Sequence, residues 1–230
     1  MLYLNANLQP MFESRTICIG GLPGIGSVGK VAADFLAKNL DCAIVKFFFS
    51  PGFPAQVIIS EGLASLLRVE LKAPKDRKNL FILSGDAQPL EVRDMYEMAG
   101  EILETAKSIG VTDFITLAAY VGDSKDKVVV AASDSETAEA LEKRGFAILR
   151  NGAIGGLNGL LAGLAPIYGM KGYCFLGTTS GDDPVDLFAA KNLLDVLKSL
   201  LSLEISPEDL ELMAEESDEA YFEEVDMNYR

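Results

Sequence analysis

Histidine is absent from the 230 residues of this chain. Serine and cysteine triads take their general base from an imidazole, and imidazole nitrogen is a common zinc ligand. The absence of histidine therefore excludes Ser-His-Asp catalysis, Cys-His catalysis and the histidine-based zinc sites. We expect no metal site and no cofactor.

Cysteine is scarce, and no CxxC pair occurs. Cys18, Cys42 and Cys174 lie far apart, each inside an apolar segment, which is typical of reduced core residues. Residues 1–10 lack the basic start and the long apolar run of a secretory signal. Together these features predict a cytoplasmic protein.

Positive charge is also in short supply, because the net charge is −14. Residues 204–230 hold eleven acidic residues and one basic residue, so the rest of the chain is nearly balanced. The acidic tail would repel nucleic acid, and no basic stripe compensates for it, so we expect no nucleic-acid partner. A basic protein surface is the better electrostatic match.

Apolar periodicity predicts strands that alternate with helices. The predicted strands cover residues 16–20, 42–49, 80–83, 114–119, 127–131 and 172–177, and the predicted helices cover residues 27–40, 89–108, 135–143 and 184–203. This order indicates an α/β fold with a mostly parallel sheet and helices on both faces. We expect one main domain, residues 1–205, followed by a short helix and an acidic tail, residues 206–230.

Three details of this prediction depend on local patterns. Residues 42–49 form a nearly continuous apolar run, which favours a strand covered on both faces. Residues 55–60 and 65–72 resemble a pair of edge strands, because apolar and polar residues alternate in the second segment. Asp183 precedes Pro184 and is the expected N-terminal cap of the last long helix.

Residues 151–170 carry no charge, so a membrane span has to be considered. The segment is rich in glycine and also contains Asn158 and Pro166. A buried helix packed closely on the sheet, or on a neighbouring subunit, accounts for the same residues better. We therefore expect no membrane association.

A glycine-rich turn joins the first strand to the first helix, where backbone N–H groups and the helix dipole favour an anion. Gly24, Gly26 and Gly29 match the dinucleotide fingerprint, but the acidic residue expected after the next strand is missing. Gly24, Gly29 and Lys30 also fit the P-loop spacing, yet Val31 stands where a magnesium-binding serine or threonine belongs. The alternative is a tight turn whose glycines let the helix approach the sheet.

Two carboxylates follow predicted parallel strands at the sheet edge where α/β proteins bind ligands. Asp86 and Asp182 are candidates for an acid/base pair or a magnesium site. Aspartate after a strand is more often a turn or cap residue. With the glycine-rich turn, these residues define the alternative hypothesis, an enzyme or sensor that binds a phosphate-bearing small molecule such as a nucleoside or nucleotide.

Four segments together resemble the archaeal proteasome assembly chaperone 2 family. They read GGLPGIGSVG at residues 20–29, GDAQP at residues 85–89, GAIGGLNGLL at residues 152–161 and AAK with following leucines from residue 189. The resemblance implies a three-layer α/β/α sandwich similar to the purine nucleoside phosphorylase type. It also implies a homo-oligomer, a trimer or tetramer, that binds α subunits of the proteasome core particle as an assembly chaperone or activator. It implies no catalysis.

The resemblance also gives the end of the chain a role. Members of this family can end in a hydrophobic residue, a tyrosine and any third residue, which dock between neighbouring α subunits. This chain ends in Asn228, Tyr229 and Arg230, with Met227 one place before the motif. Tyr229, the Arg230 carboxylate and Met227 are the partner-binding candidates that the resemblance implies, although Asn228 departs from the motif.

Overall fold

Strands and helices alternate along the chain in a computed structural model, which describes residue 12, residues 14–122 and residues 124–210. The strands are β1 (Ile17–Gly21), β2 (Cys42–Phe48), β3 (Val57–Ser60), β4 (Leu63–Leu66), β5 (Val69–Pro74), β6 (Leu80–Gly85), β7 (Asp113–Val121), β8 (Val128–Ala132), β9 (Ala147–Ile148) and β10 (Lys171–Thr179). The helices are α1 (Val28–Asn39), α2 (Val92–Ser108), α3 (Ser135–Lys143), α4 (Gly156–Leu164) and α5 (Leu187–Leu201).

Eight strands form a central sheet in the order β2-β5-β6-β1-β7-β10-β8-β9. The four middle strands, β6, β1, β7 and β10, run parallel to one another. Antiparallel pairs flank them, since β5 opposes both β6 and β2 and β8 opposes β10. Strands β3 and β4 form a separate hairpin. The predicted α/β fold with a mostly parallel sheet is confirmed.

Each face of the sheet carries its own apolar core, because side chains alternate between the two faces along a strand. On β1, Ile17 and Ile19 pack into the core that includes α1, α3 and α5. Cys18 points the other way, into the core that includes α2 and α4. Helices therefore cover both faces, and the expected three layers are present.

Strand β2 differs from the prediction, because it lies at the edge of the sheet rather than inside it. Ile44, Val45 and Phe47 are between 41% and 50% exposed, whereas Phe48 is buried. A continuous apolar run shows that side chains avoid water, but it does not show whether the same chain covers them. The expectation of a strand covered on both faces by this chain is wrong.

The two predicted edge strands are also divided differently. Residues 57–60 pair with residues 63–66 as the β3–β4 hairpin, while β5 belongs to the central sheet between β2 and β6. Glu61 and Gly62 form the tight turn, both with positive φ. Glycine adopts this conformation readily, which allows a two-residue connection where the sequence suggested a longer loop.

Helix α5 begins three residues later than predicted, because Asp186 rather than Asp183 caps it. The Asp186 carboxylate accepts a hydrogen bond from the Ala189 backbone N–H at 2.8 Å. The backbone N–H of Asp186 donates to the Gly26 carbonyl oxygen at 2.8 Å, so Asp186 lies outside the helix. Both aspartates fit the capping pattern, and the contact with the glycine-rich turn decides between them.

The uncharged segment at residues 151–170 contains α4, which packs on β7, β10 and α2 as a helix of the core. Leu157 and Leu161 are fully buried. Gly172 on β10 allows the close approach, since a Cβ there would lie 1.9 Å from the Ala162 carbonyl oxygen. Across the described residues, no helix combines the length and the apolar character needed to cross a bilayer.

Candidate functional site

The carboxyl ends of the four parallel strands meet at one edge of the sheet, the usual ligand edge of α/β folds. A cleft of about 640 Å³ opens there. Its walls include Leu22, Ile25, Met95, Tyr120, Val121 and Leu176. Three of the four quoted motifs, those at residues 20–29, 85–89 and 152–161, are loop motifs that reach this edge and line the cleft.

The glycine-rich turn is shaped by contacts between backbones. Gly26 has φ of 57°, a left-handed conformation that glycine adopts without strain. Gly29, in the first turn of α1, touches β7, because a Cβ there would lie 2.0 Å from the Leu117 carbonyl oxygen. A Cβ on Gly21 would lie 1.9 Å from the Gly29 carbonyl oxygen. These glycines let α1 lie directly on the sheet.

Two amide side chains hold this turn to the neighbouring motifs, and we call their hydrogen bonds the clamp. Asn158 on α4 accepts from the Leu22 N–H at 3.1 Å and donates to the Leu22 carbonyl at 3.0 Å. Gln88 donates to the Pro23 carbonyl and accepts from the Leu157 N–H. Asn158 is only 4% exposed. The clamp therefore joins the loops after β1 and β6 to the start of α4.

Sequence reasoning missed the roles of Asn158 and Gln88, although both stand in the quoted motifs. A clear signal was present for Asn158, a lone amide within an apolar, glycine-rich helix. Buried amides in such positions are normally fully hydrogen-bonded. The partner could not be read from the sequence, because Leu22 lies 136 residues away.

Two of the predicted phosphate ligands, Gly24 and Gly29, line the cleft. Lys30 forms an ion pair with Asp34 at 2.6 Å, one helical turn further along α1. Lys30 is the only cation of the predicted P-loop, and its i,i+4 pair with Asp34 is worth about 0.2–0.5 kcal/mol.

The two candidate carboxylates are not brought together. Asp86 follows β6 and accepts a hydrogen bond from the Arg68 backbone N–H at 3.0 Å. Asp182 follows β10 and is exposed. Strands β1 and β7 lie between β6 and β10, so at the usual strand spacing the two strand ends are about 14 Å apart. Asp86 acts as a turn residue, and the described residues include no cluster of three potential metal ligands.

The buried polar side chains at this edge form their hydrogen bonds within the protein. Within the described residues, every buried side-chain nitrogen and oxygen has a partner. The clamp and the Asp186 cap thus give the edge a fixed shape and an apolar cleft. Such an edge is suited to binding by surface complementarity, since its polar groups serve to hold its own loops.

A second buried polar cluster lies at the opposite edge of the sheet, and sequence reasoning did not find it. Asp113, at the start of β7, is 1% exposed and accepts from Arg15 and from the Tyr173 hydroxyl, both at 2.7 Å. Thr112 donates to its other oxygen at 2.7 Å. Burial and the hydrogen bond to Asp113 raise the pKa of Tyr173. The cluster fixes the start of β7 next to β10.

A third polar group lies on β5. Glu70 accepts from Arg68 at 2.7 Å and from Lys72 at 2.9 Å. Burial disfavours the Glu70 carboxylate, but the hydrogen bonds from these two cations outweigh it and lower the pKa of Glu70. Arg68 also stacks over the Phe47 ring of β2, with 4.7 Å between the guanidinium carbon and the ring centre.

The tail candidates, Met227, Tyr229 and Arg230, lie outside the described residues. Their proposed contact with a partner therefore stays a prediction from the sequence. The described chain ends at Leu210, whose side chain is buried in the core of the α1 and α5 face. The acidic segment continues from this anchored point.

Comparison with known proteins finds several that are similar to this chain. MJ1210 of Methanocaldococcus jannaschii, an uncharacterised protein, is 30% identical over 213 residues, which make up 90% of this chain and 81% of MJ1210. The crystal structure of Pyrococcus furiosus PbaA, an archaeal homolog of proteasome-assembly chaperone, matches with a TM-score of 0.74 and 34% identity, covering 94% of this chain and 96% of PbaA. Pyrococcus furiosus PbaB, an archaeal proteasome activator, matches with a TM-score of 0.75 and 31% identity, covering 90% of this chain and 92% of PbaB.

A family model described as the PAC2 family matches residues 18–225. That range includes all three loop motifs of the clamp. The resemblance predicted from these motifs is confirmed, and this chain belongs to the PAC2 family.

Proposed function

We propose that this chain is a non-catalytic, homo-oligomeric protein of the cytoplasm that binds the archaeal proteasome core particle or its α subunits, as an assembly chaperone or activator. The observation that carries the proposal is the similarity to PbaA and PbaB. Both are more than 30% identical to the chain over at least 90% of its length. Their described roles are those of a chaperone homolog and a proteasome activator.

The sheet edge supports a binding role. Three of the four motifs that carry the family resemblance build the clamp, and the amide groups of Gln88 and Asn158 bond to backbone groups within it. Lys30 and Asp86 are likewise engaged, with Asp34 and with the Arg68 backbone. The family motifs thus maintain a surface, and the proposal needs no reacting group among them.

The acidic tail supports the same role through electrostatics. The balance of eleven acidic residues to one basic residue at residues 204–230 would steer the tail towards a basic groove and raise its association rate. In an oligomer several tails reach one ring of subunits, so weak single contacts add up through avidity. We propose that Tyr229 packs in the groove and that the Arg230 carboxylate pairs with a cation there.

The test is co-elution of the purified chain with the core particle or its α subunits. We expect the full chain to co-elute, and we expect deletion of residues 227–230 to weaken retention because it removes the docking residues. Tyr229→Ala should weaken retention in the same way. Tyr221→Ala is the matched control, since it removes a tyrosine from the same tail but leaves the terminus intact.

Retention unchanged by the deletion would remove the tail from the mechanism. Absence of co-elution at any protein concentration would contradict the proposal itself. If that absence were accompanied by a nucleotide-dependent rise in melting temperature, the alternative of a phosphate-binding enzyme or sensor would be favoured, because a ligand of the folded state raises stability.

A further inference from the structure

One region of the protein is apolar and exposed beyond what a monomer normally shows. We define the hairpin surface as the exposed apolar residues of β2, of the residue that follows it and of the β3–β4 hairpin. They are Ile44, Val45, Phe47, Phe49, Val57, Ile58, Ile59, Leu63 and Leu66, each between 37% and 74% exposed. The β2 part and the hairpin part of this surface are continuous, because Phe49, Val57 and Leu66 line a common groove.

The hairpin itself is uncovered. All four residues of β3 and three of the four in β4 are exposed, and neither strand joins the central sheet. Isolated two-stranded hairpins are marginally stable in water, and they need packing against another element. Within the described residues no helix or further strand packs on this one closely enough to bury it, so something else must do so.

Counted over both faces of the hairpin, the size of the hairpin surface corresponds to a protein interface. Its nine residues are on average about half exposed. A fully exposed side chain of this size offers on the order of 150–200 Å², which gives roughly 700–900 Å² in total. Standard interfaces bury about 800 Å² on each partner, and the largest apolar patch of a typical monomer is about 300–600 Å².

The low charge of this segment favours a second copy of the chain as the occupant. Two copies, each with a net charge of −14, repel one another, mainly through the acidic residues 204–230. Between Phe47 and Leu67 the only ionisable residue is Glu61, so two copies can meet here with little repulsion. A partner with a basic surface would gain no binding free energy from its charges here, since they would lose water without meeting an opposite charge.

The mode of contact follows from β2. The strand has a β-bulge between Ile44 and Lys46, which twists an edge away from further pairing. Lys46 is bound to Glu101 at 3.0 Å and to Thr105 at 2.9 Å, and a charged residue also opposes strand addition. Contact through side chains is therefore favoured over extension of the sheet.

We infer that a second copy of this chain packs against the hairpin surface through side chains and holds the homo-oligomer together. The inference rests on the homo-oligomeric part of the proposed function and names the surface responsible. The long apolar run at residues 42–49 is thus covered after all, by a neighbouring subunit.

The experiment compares Leu63→Glu with Ile167→Glu by multi-angle light scattering over a concentration series of the full-length protein. Leu63 and Ile167 are 74% and 76% exposed, so the two changes add the same charge at equally exposed apolar residues. The unchanged chain should be an oligomer. Leu63→Glu should raise the subunit dissociation constant roughly 100-fold, because burying like charges costs several kcal/mol, and Ile167→Glu should leave it unchanged.

Circular dichroism of both variants shows whether each folds. If Leu63→Glu fails to fold, Leu66→Glu provides a second change, on the other face of the hairpin. The inference is overturned if the unchanged chain is monomeric at every concentration up to about 0.1 mM. It is also overturned if the folded hairpin variants keep the dissociation constant of the unchanged chain, or if Ile167→Glu weakens assembly equally.

Core-particle binding separates this inference from the proposed function. A variant that assembles normally but no longer co-elutes with the core particle would assign the hairpin surface to the proteasome and contradict the inference. An oligomer that depends on Leu63 but never binds the core particle would support the inference while the proposed function fails.

Discussion

Replacing Asn158 by leucine removes the centre of the clamp while keeping a side chain of similar size. Asn158 is 4% exposed, and it satisfies both the N–H and the carbonyl of Leu22. A buried backbone group left unpaired costs roughly 1–3 kcal/mol. With two groups affected, and some gain from the apolar leucine, we expect unfolding free energy to fall by about 3 kcal/mol.

For a chain of this size that loss corresponds to a melting temperature lower by about 6–12 °C. The measurements are urea titration and thermal unfolding by circular dichroism, at one protein concentration because assembly itself raises stability. Asn192→Leu is the control, since Asn192 is 5% exposed on α5 and makes no bond to Leu22. The reasoning is refuted if Asn158→Leu loses no more stability than this control.

Asn158→Asp sharpens the same test. An ionised aspartate accepts from the Leu22 N–H but cannot donate to the Leu22 carbonyl, and the buried charge adds a further penalty. A protonated aspartate can make both bonds. The stability of Asn158→Asp relative to the unchanged chain should therefore improve as pH falls, whereas that of Asn158→Leu should not.

Two further predictions concern the turn and β5. Gly29→Ala should lower the unfolding free energy by about 2–3 kcal/mol, since its Cβ would collide with the Leu117 carbonyl. The control is Gly163→Ala in α4, where a Cβ meets open space, and it should raise the unfolding free energy by about 0.5–1 kcal/mol. Equal effects of the two changes in urea titration would contradict this role of Gly29. Glu70→Gln should cost about 1 kcal/mol at neutral pH. Because the folded pKa of Glu70 lies below its unfolded value, this contribution is present above about pH 4 and is lost in more acidic solution, so unfolding curves of the two proteins should converge there.

Local patterns determined much of the fold. The helix predicted at residues 135–143 has those bounds in the structure, because the residues that cap it, Asp134 and Arg144, lie directly beside the segment. The central strands were found from their short apolar runs, and their alternation with helices gave the parallel order. These features depend on residues close together in the chain, which is why the sequence alone reveals them.

Features that depend on distant partners could not be predicted in this way. The place of β2 in the sheet depends on its pairing with β5, and an apolar run is the same whether its cover is internal or external. The start of α5 depends on a bond between Asp186 and Gly26. Asp113 gave no signal, since its partner Tyr173 stands 60 residues away on another strand.

The clamp also has a consequence for how the protein is made. Leu22 and Asn158 are separated by 136 residues, and closing a long loop carries an entropic cost that must be met before the contact forms. On the ribosome, the first strand and helix therefore wait until α4 has emerged before their turn is secured. Sheets dominated by such non-local pairs fold slowly. During synthesis the apolar side chains of β1 and α1 are therefore exposed to water until the later elements of the two cores are available to pack with them.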